Sequence, residues 1–233
     1  MNKEKNGENV TSGKGLFVTA TGTDIGKTYV TALMVKKLKE AGYSSGYYKA
    51  ALSGADSIAN SDAGYVKKIS GIAQPDETLL SYLYQTAVSP HLAAKLEGNP
   101  VDLQKVRKDY QNVLKIHDYV TVEGSGGIVC PIRWDGQQKI LLEDVIKALE
   151  LNTVIVADAG LGTINAVVLT AEYLRNHGIE VKGVILNHYT GDTMQKDNIR
   201  MIETLADVPV VALVRDGADE LEIETEKLEM MYK

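Results

Sequence analysis

Residues 15–28 read Gly15-Leu-Phe-Val-Thr-Ala-Thr-Gly-Thr-Asp-Ile-Gly-Lys-Thr28. The first five are a short β-prone run, and Ala20 to Thr28 is rich in turn formers. Tyr29 to Ala41 then carries apolar side chains at Val30, Leu33, Met34 and Leu38, the spacing of one helix face. Gly42 stands where a helix stops. Gly26-Lys27-Thr28 between a strand and a helix is the context a phosphate-binding loop needs. Backbone N–H groups at the helix start point at an anion, and the helix dipole adds roughly half a positive charge there. A lysine reaches the terminal phosphates, and the threonine hydroxyl ligates Mg²⁺. The strict spacing would place glycine at position 21; the chain has Thr21, with Gly22 beside it.

The same alternation continues outward. Gly46 to Ala50 reads as a second strand. Leu52 to about Leu83 is irregular, with one short helix near Ala63–Ser70. Helices are expected at Pro90–Glu97 and Leu103–Ile116, then a strand at Tyr119–Glu123 running into Gly124-Ser-Gly-Gly127. A helix near Leu141–Leu149 leads to a strand at Thr153–Ala157. A helix at roughly Asn165–Asn176, a strand at Val181–Leu186, a helix near Met194–Ala206, a last strand at Val210–Val214 and an acidic C-terminal segment complete the chain. Several strands are continuous β-branched runs, the mark of strands buried on both faces of a parallel sheet. The expected fold is α/β, a mainly parallel sheet with helices on both faces, with ligands at the carboxyl ends of the strands.

Composition narrows the function. A chain of 233 residues suits one domain, taken as 15–233 behind a flexible tail of residues 1–14. One cysteine, Cys130, excludes a disulfide framework and a multi-cysteine zinc site. A net charge of −6 speaks against general affinity for nucleic acid or an anionic membrane. No apolar run approaches the roughly 20 residues that span a bilayer, and the polar N-terminus is no secretory signal. The expected location is the cytoplasm. The aromatic complement is lopsided, with 12 Tyr against one Phe and one Trp.

Further candidates lie at strand ends. Glu123 closes a buried strand beside the glycines, where a second Mg²⁺ contact is usual. Asp62, in Asn60-Ser-Asp-Ala63, reads first as a helix cap. Lys49 reads equally as a surface lysine or as a second cation for phosphoryl transfer. Asp158-Ala-Gly-Leu-Gly-Thr-Ile-Asn165 is either an anion-binding helix start or tight strand–helix packing. Asn187 is a base-reading amide or an ordinary loop residue. His91, His117, His177 and His188 share no metal-ligand spacing and read as structural or surface residues, and Cys130 as a small buried hydrophobe.

Taken together, seven blocks resemble the dethiobiotin synthetases, a family of the P-loop NTPase superfamily. They are Thr19–Thr28, Tyr48–Gly54, Asn60–Ala63, Ser89-Pro-His91, Val122–Gly127, Leu161–Asn165 and Gly183–Asn187. The resemblance implies ATP-dependent carboxylation and ring closure of 7,8-diaminononanoate with CO₂, passing through a carbamate and a carbamic–phosphoric anhydride. It implies ATP as substrate, Mg²⁺ as cofactor and a homodimer with its site at the interface. By position it places Asp24, Ile25, Gly26, Lys27, Thr28 and Tyr29 on the nucleotide, with Gly124, Ser125 and Gly126. Thr28, Asp62 and Glu123 would ligate Mg²⁺, which raises Asp62 from cap to ligand. Lys49 and Lys27 would be catalytic, and Thr23, Lys49 and Ser53 would meet the diamine. Asn187 would read adenine, with Val214, Arg215 and Asp216 along its rim. Leu161, Gly162, Thr163 and Asn165 would hold the carboxylate tail of substrate bound to the other subunit. The chain departs from the family pattern at Ala20, Ala50, Ala212 and Arg215, and it carries an unexpected acid at Asp158.

Two other readings compete. A nucleotide-switch ATPase that positions other molecules shares the strand–loop–helix start, but usually carries a lysine early in the loop, where this chain has Thr21 and Gly22. A related ATP-dependent amidoligase would need a glutaminase partner domain with a nucleophilic thiol.

Overall fold

The computed structural model describes residues 13–233. The first 12 residues of the expected tail lie outside the described residues, and the first strand starts at Lys14. Nine strands and eight α-helices follow in order. They are β1 (Lys14–Ala20), α1 (Lys27–Glu40), β2 (Ser45–Ser53), α2 (Asp62–Ser70), β3 (Leu80–Tyr84), α3 (Pro90–Leu96), α4 (Leu103–Leu114) and β4 (Tyr119–Glu123). Then come β5 (Pro131–Trp134), β6 (Lys139–Leu141), α5 (Leu142–Ala148), β7 (Asn152–Asp158), α6 (Thr163–Asn176), β8 (Val181–Asn187), α7 (Thr193–Ala206), β9 (Val210–Leu213) and α8 (Thr225–Glu229).

Seven strands form one sheet in the order β3-β2-β4-β1-β7-β8-β9, and every pairing in it is parallel. The α/β expectation holds. Strand β1 occupies the centre, where the strand order reverses. The crevice outside its carboxyl end is therefore the natural ligand position.

Alternation along each strand supplies two cores. Leu16, Val18, Val154 and Val156 face α1, α8 and the C-terminal Tyr232. Phe17, Val122, Ile155 and Ala157 face the other way, onto Val106 and Val113 of α4, Ile146 of α5, Val167 of α6 and Ile202 of α7. Helix α2 joins α1 on the first face through Ala63 and Val66, against Ala32, Val35 and Tyr47. Among the described residues, no helix is long and apolar enough to cross a membrane.

Four elements were not expected. β3 is an edge strand inside the stretch read as irregular. Its Leu-Ser-Tyr-Leu-Tyr sequence has no β-branched residue and is only half-buried, so the usual strand signal is missing. The antiparallel hairpin β5–β6 turns at Asp135 and Gly136, and α8 is a five-residue helix in the acidic tail.

The tyrosine excess has a structural outlet. The hydroxyls of Tyr47, Tyr48, Tyr82, Tyr84, Tyr119, Tyr173 and Tyr232 each have a hydrogen-bond partner in or beside the core. Phenylalanine would fill the same volume without satisfying those groups. Tyr232 Oη lies 2.6 Å from Thr121 Oγ1, both buried. Replacing Tyr232 with Phe strands that threonine hydroxyl. The expected loss is about 1–3 kcal/mol of stability, read as a lower urea midpoint with unchanged slope.

Candidate active site

Strand register assembles the site. Glu123, the last residue of β4, pairs with Val18 of β1 on one side and Lys49 of β2 on the other. The phosphate loop leaves β1 two residues after Val18. Three donors therefore meet one carboxylate oxygen. Glu123 Oε1 accepts from Lys27 Nζ at 3.0 Å, Lys49 Nζ at 3.0 Å and Thr28 Oγ1 at 2.8 Å. Its other oxygen accepts from Tyr47 Oη at 3.0 Å. Lys49 Nζ also donates to Asp62 Oδ2 at 2.6 Å.

Glu123 and Lys49 are almost wholly enclosed, 1% and 3% exposed. Burial alone would raise the Glu123 carboxyl, but Lys49 and then Lys27 outweigh it and hold the group at about 2. Burial works against the charge on Lys49, yet Glu123 and Asp62 keep its ammonium above the ordinary lysine value. Burial and the adjacent Glu123 push the Tyr47 phenol far up, so it stays a neutral donor. The surface-lysine reading of Lys49 is excluded.

The cap reading of Asp62 also falls. Ser61 caps α2 by accepting from Gly64 N, and Asp62 is the first helical residue. That frees the carboxylate to turn toward Lys49. Thr28, Asp62 and Glu123 thus form an all-oxygen donor set, which suits Mg²⁺ better than a soft metal. Among the described residues, no group of three or more His, Cys, Asp or Glu would hold a metal by itself.

The loop follows the sequence. Thr21 N donates to Val156 O at 3.0 Å, anchoring the loop start to β7. Asp24 and Gly26 adopt left-handed conformations, φ 59° and 83°, and α1 begins at Lys27. A Cβ at Gly26 would lie 2.1 Å from Asn187 Nδ2, so glycine is required there by space as well as by φ.

A crevice of roughly 1120 Å³ opens beside this cluster. Thr23, Asp24, Gly26, Lys27, Thr28 and Tyr29 line it, with Lys49, Ser53, Asp62, Ser125 and Gly126. Ser53 Oγ donates to Val88 O at 2.5 Å, on the wall formed by Val88, Ser89 and Pro90. Cys130 joins the lining although it is buried, and burial raises its thiol to about 11.

The remaining expected residues sit apart from that crevice. Asn187 is buried, donating Nδ2 to Ile25 O at 3.0 Å. Val214 is buried, donating N to Leu186 O, and the Arg215 guanidinium lies over Tyr189. Tyr29, already in the crevice lining, donates Oη to Ala218 O and ties α1 to the segment after β9. Gly162 and Thr163 open α6, with Ile164 and Asn165 in its first turn and Leu161 93% exposed. Asp158 points to neither ligand region: Oδ1 accepts from Gly160 N at 2.6 Å, and Oδ2 lies 2.7 Å from His188 Nδ1.

Two residues escaped sequence reading. Tyr47 lies two positions before Lys49, so strand alternation puts both on one face; that spacing was the available signal. His188 read as a structural or surface residue, yet it sits in a polar network with Asp158 and Asn187. Its strand-following position beside Asn187 was the only clue.

The protein-family model described as an AAA domain matches residues 14–219. A protein of Brachyspira hyodysenteriae named ATP-dependent dethiobiotin synthetase BioD is 52% identical over 91% of this chain and 98% of its own length. One of the same name from Clostridium botulinum is 48% identical over 94% and 98%. Among solved structures, a ParA family ATPase from Chlorobium tepidum has a TM-score of 0.55 at 12% identity, covering 94% of this chain and 90% of that one. The MinC:MinD cell division complex of Aquifex aeolicus gives 0.53 at 16%, covering 87% and 81%. These two likenesses speak for the fold alone.

The depressed Glu123 carboxyl contributes stability that is full above its ordinary value of 4.5 and fades as pH falls toward 2. Glu123→Gln leaves Lys27 and Lys49 without their anion. It should lower the urea midpoint at pH 7 and flatten the acid-side decline between those two values, followed by circular dichroism.

Proposed function

The chain belongs to the family of ATP-dependent dethiobiotin synthetases, and on that footing we propose how its residues carry the reaction. It is an ATP-dependent enzyme of dethiobiotin formation, a ligase that makes C–N bonds. The observation that carries the assignment of roles is the Lys27–Glu123–Lys49–Asp62 cluster at the mouth of a phosphate loop, with Glu123 and Lys49 buried and Asp62 half-exposed.

The substrates in this reading are 7,8-diaminononanoate, CO₂ and ATP. One amine adds to CO₂ and loses a proton, giving a carbamate. A carbamate oxygen attacks the γ-phosphorus, breaking its bond to the bridging oxygen and releasing ADP. The second amine then attacks the carbonyl carbon of the anhydride and loses a proton as phosphate leaves, which closes the cyclic urea. The two amines are held by one chain, so closure is intramolecular.

Gly26 and the start of α1 direct N–H groups at the phosphates. Lys27, held in place by Glu123, would exchange that partner for phosphate oxygens. Lys49 cannot drift, because Asp62 and Glu123 grip it from two sides; its ammonium would stabilise charge on the carbamate and the transferred phosphoryl group. Thr28, Asp62 and Glu123 would hold Mg²⁺, whose charge offsets that of the phosphate oxygens. Thr23 and Ser53 would meet the diamine from the crevice wall, and Asn187 would read adenine.

The substrate tail subsite at Leu161, Gly162, Thr163 and Asn165 lies outside the crevice of its own chain. That placement, and the near-complete exposure of Leu161, support a homodimer in which each α6 start serves the partner's crevice. A biosynthetic role of this kind suits the cytoplasm.

Protein mixed with diaminononanoate, labelled bicarbonate, Mg²⁺ and ATP should move label into an acid-stable product; absence of label, with a working control enzyme, sinks the reading. Lys49→Ala should lower kcat about a hundredfold or more while its circular dichroism spectrum stays folded, and full retained activity would remove Lys49 from the catalytic role.

A further inference from the structure

At the carboxyl ends of β7 and β8, a polar network lies outside the crevice. Asn187 Nδ2 is 3.0 Å from Ile25 O and 3.2 Å from His188 Nε2. His188 Nδ1 is 2.7 Å from Asp158 Oδ2, whose other oxygen accepts from Gly160 N. Asn187 is 1% exposed, and its Oδ1 is buried with no partner.

These contacts orient the amide and favour one imidazole tautomer. Ile25 O can only accept, so the Asn187 nitrogen, not its oxygen, must face it. Asp158 is acceptor-only, so His188 carries its hydrogen on Nδ1. In the neutral imidazole Nε2 is bare and accepts the second Asn187 amide hydrogen, while Asp216 Oδ1 stands 3.8 Å from it. Both hydrogens of that amide are committed inside the protein. What remains for a ligand is Oδ1, an acceptor alone.

We propose that His188, anchored by Asp158, is a positioning residue for nucleotide selection: it locks the Asn187 amide so that a base offering an amino group is accepted and one offering a carbonyl is refused. The proposal rests on Asn187 reading the base. An amino group at purine position 6 would give the orphaned oxygen its partner. A carbonyl there would bring two acceptors together, with no amide hydrogen free to turn toward it. Asp158 thereby has a role: through Oδ2 it favours the imidazole tautomer, while Oδ1 holds the Gly160 amide ahead of α6. His188 itself sits at φ 57°, a left-handed position that turns the ring back across β8 toward β7.

The test is steady-state kinetics with ATP and with ITP, which carries a carbonyl where ATP carries the amino group. In His188→Phe the ratio of kcat/KM for ATP over ITP should fall about tenfold or more, mainly through KM for nucleotide, while KM for the diamine stays within twofold. His188→Gln, whose side-chain oxygen can stand where Nε2 stands, should keep the ratio within threefold of the parent. A Phe variant that keeps the ratio, or a Gln variant that loses as much as Phe, overturns the proposal. If the Phe variant does not fold, Asp158→Ala must lower the ratio, and an unchanged ratio overturns it equally. Asn187→Ala separates the two readings. If it leaves KM for ATP and the ratio untouched, the adenine assignment fails and this proposal with it. If it abolishes discrimination while the His188 variants do not, the present proposal alone fails.

Discussion

A carboxylate buried at the end of a central strand needs positive charge beside it, and Glu123 organises the molecule around that need. Removing a lone carboxylate from water costs far more than a folded chain's net stability can spare. Two lysines, one hydroxyl and one phenol therefore converge on it. Each comes from a different position in the chain: Lys27 and Thr28 from the start of α1, Lys49 and Tyr47 from β2. The parallel register of β2, β4 and β1 is what brings them there. A one-residue slip of β2 would turn Lys49 to the opposite face, leaving Glu123 with one cation in place of two. Fold and site are thus tied through a single electrostatic requirement.

The cluster also shows how a site for a polyanion waits without one. Lys27 and Lys49 are held at their posts by Glu123 and Asp62, so little side-chain ordering is left for the moment of binding. In the proposed reading an incoming triphosphate would compete with carboxylates for the same ammonium groups, and Mg²⁺ would take up the carboxylate charge that the lysines release. The net charge of −6 is no obstacle, because the local field is set by two lysines and the N–H groups of one helix start.

What could be read in the sequence followed how directly residues report their surroundings. The phosphate loop was legible because strand, glycine, lysine and helix are contiguous from Gly15 to Ala41. The β-branched runs at 120, 155 and 184 announced buried parallel strands. β3 stayed hidden because an edge strand of Leu, Ser and Tyr has neither alternation nor β-branching. Asp62 looked like a cap because caps are local, whereas its partner Lys49 is set by tertiary packing. The tyrosine excess was visible as a number and meaningless until hydroxyl partners such as Thr121 and Glu123 were placed opposite it.

His188 marks the boundary of that legibility. Its chemistry depends on a strand neighbour, Asp158, 30 positions away, and on a loop carbonyl at Ile25, 162 positions from Asn187. None of these three is a motif by itself. Together they bear on which atom of one amide is left free, because Ile25 O can only accept and Asp158 sets the tautomer of the ring beside it. A loop carbonyl sets the rotamer and an aspartate the tautomer, and under the proposal made above the selectivity of a buried amide would follow from those two constraints. The Gly26–Asn187 contact adds the geometric half: the loop that cradles phosphate leans directly on the amide assigned to the base. In the proposed reading, the two ends of the nucleotide would therefore be met by parts of one packed unit.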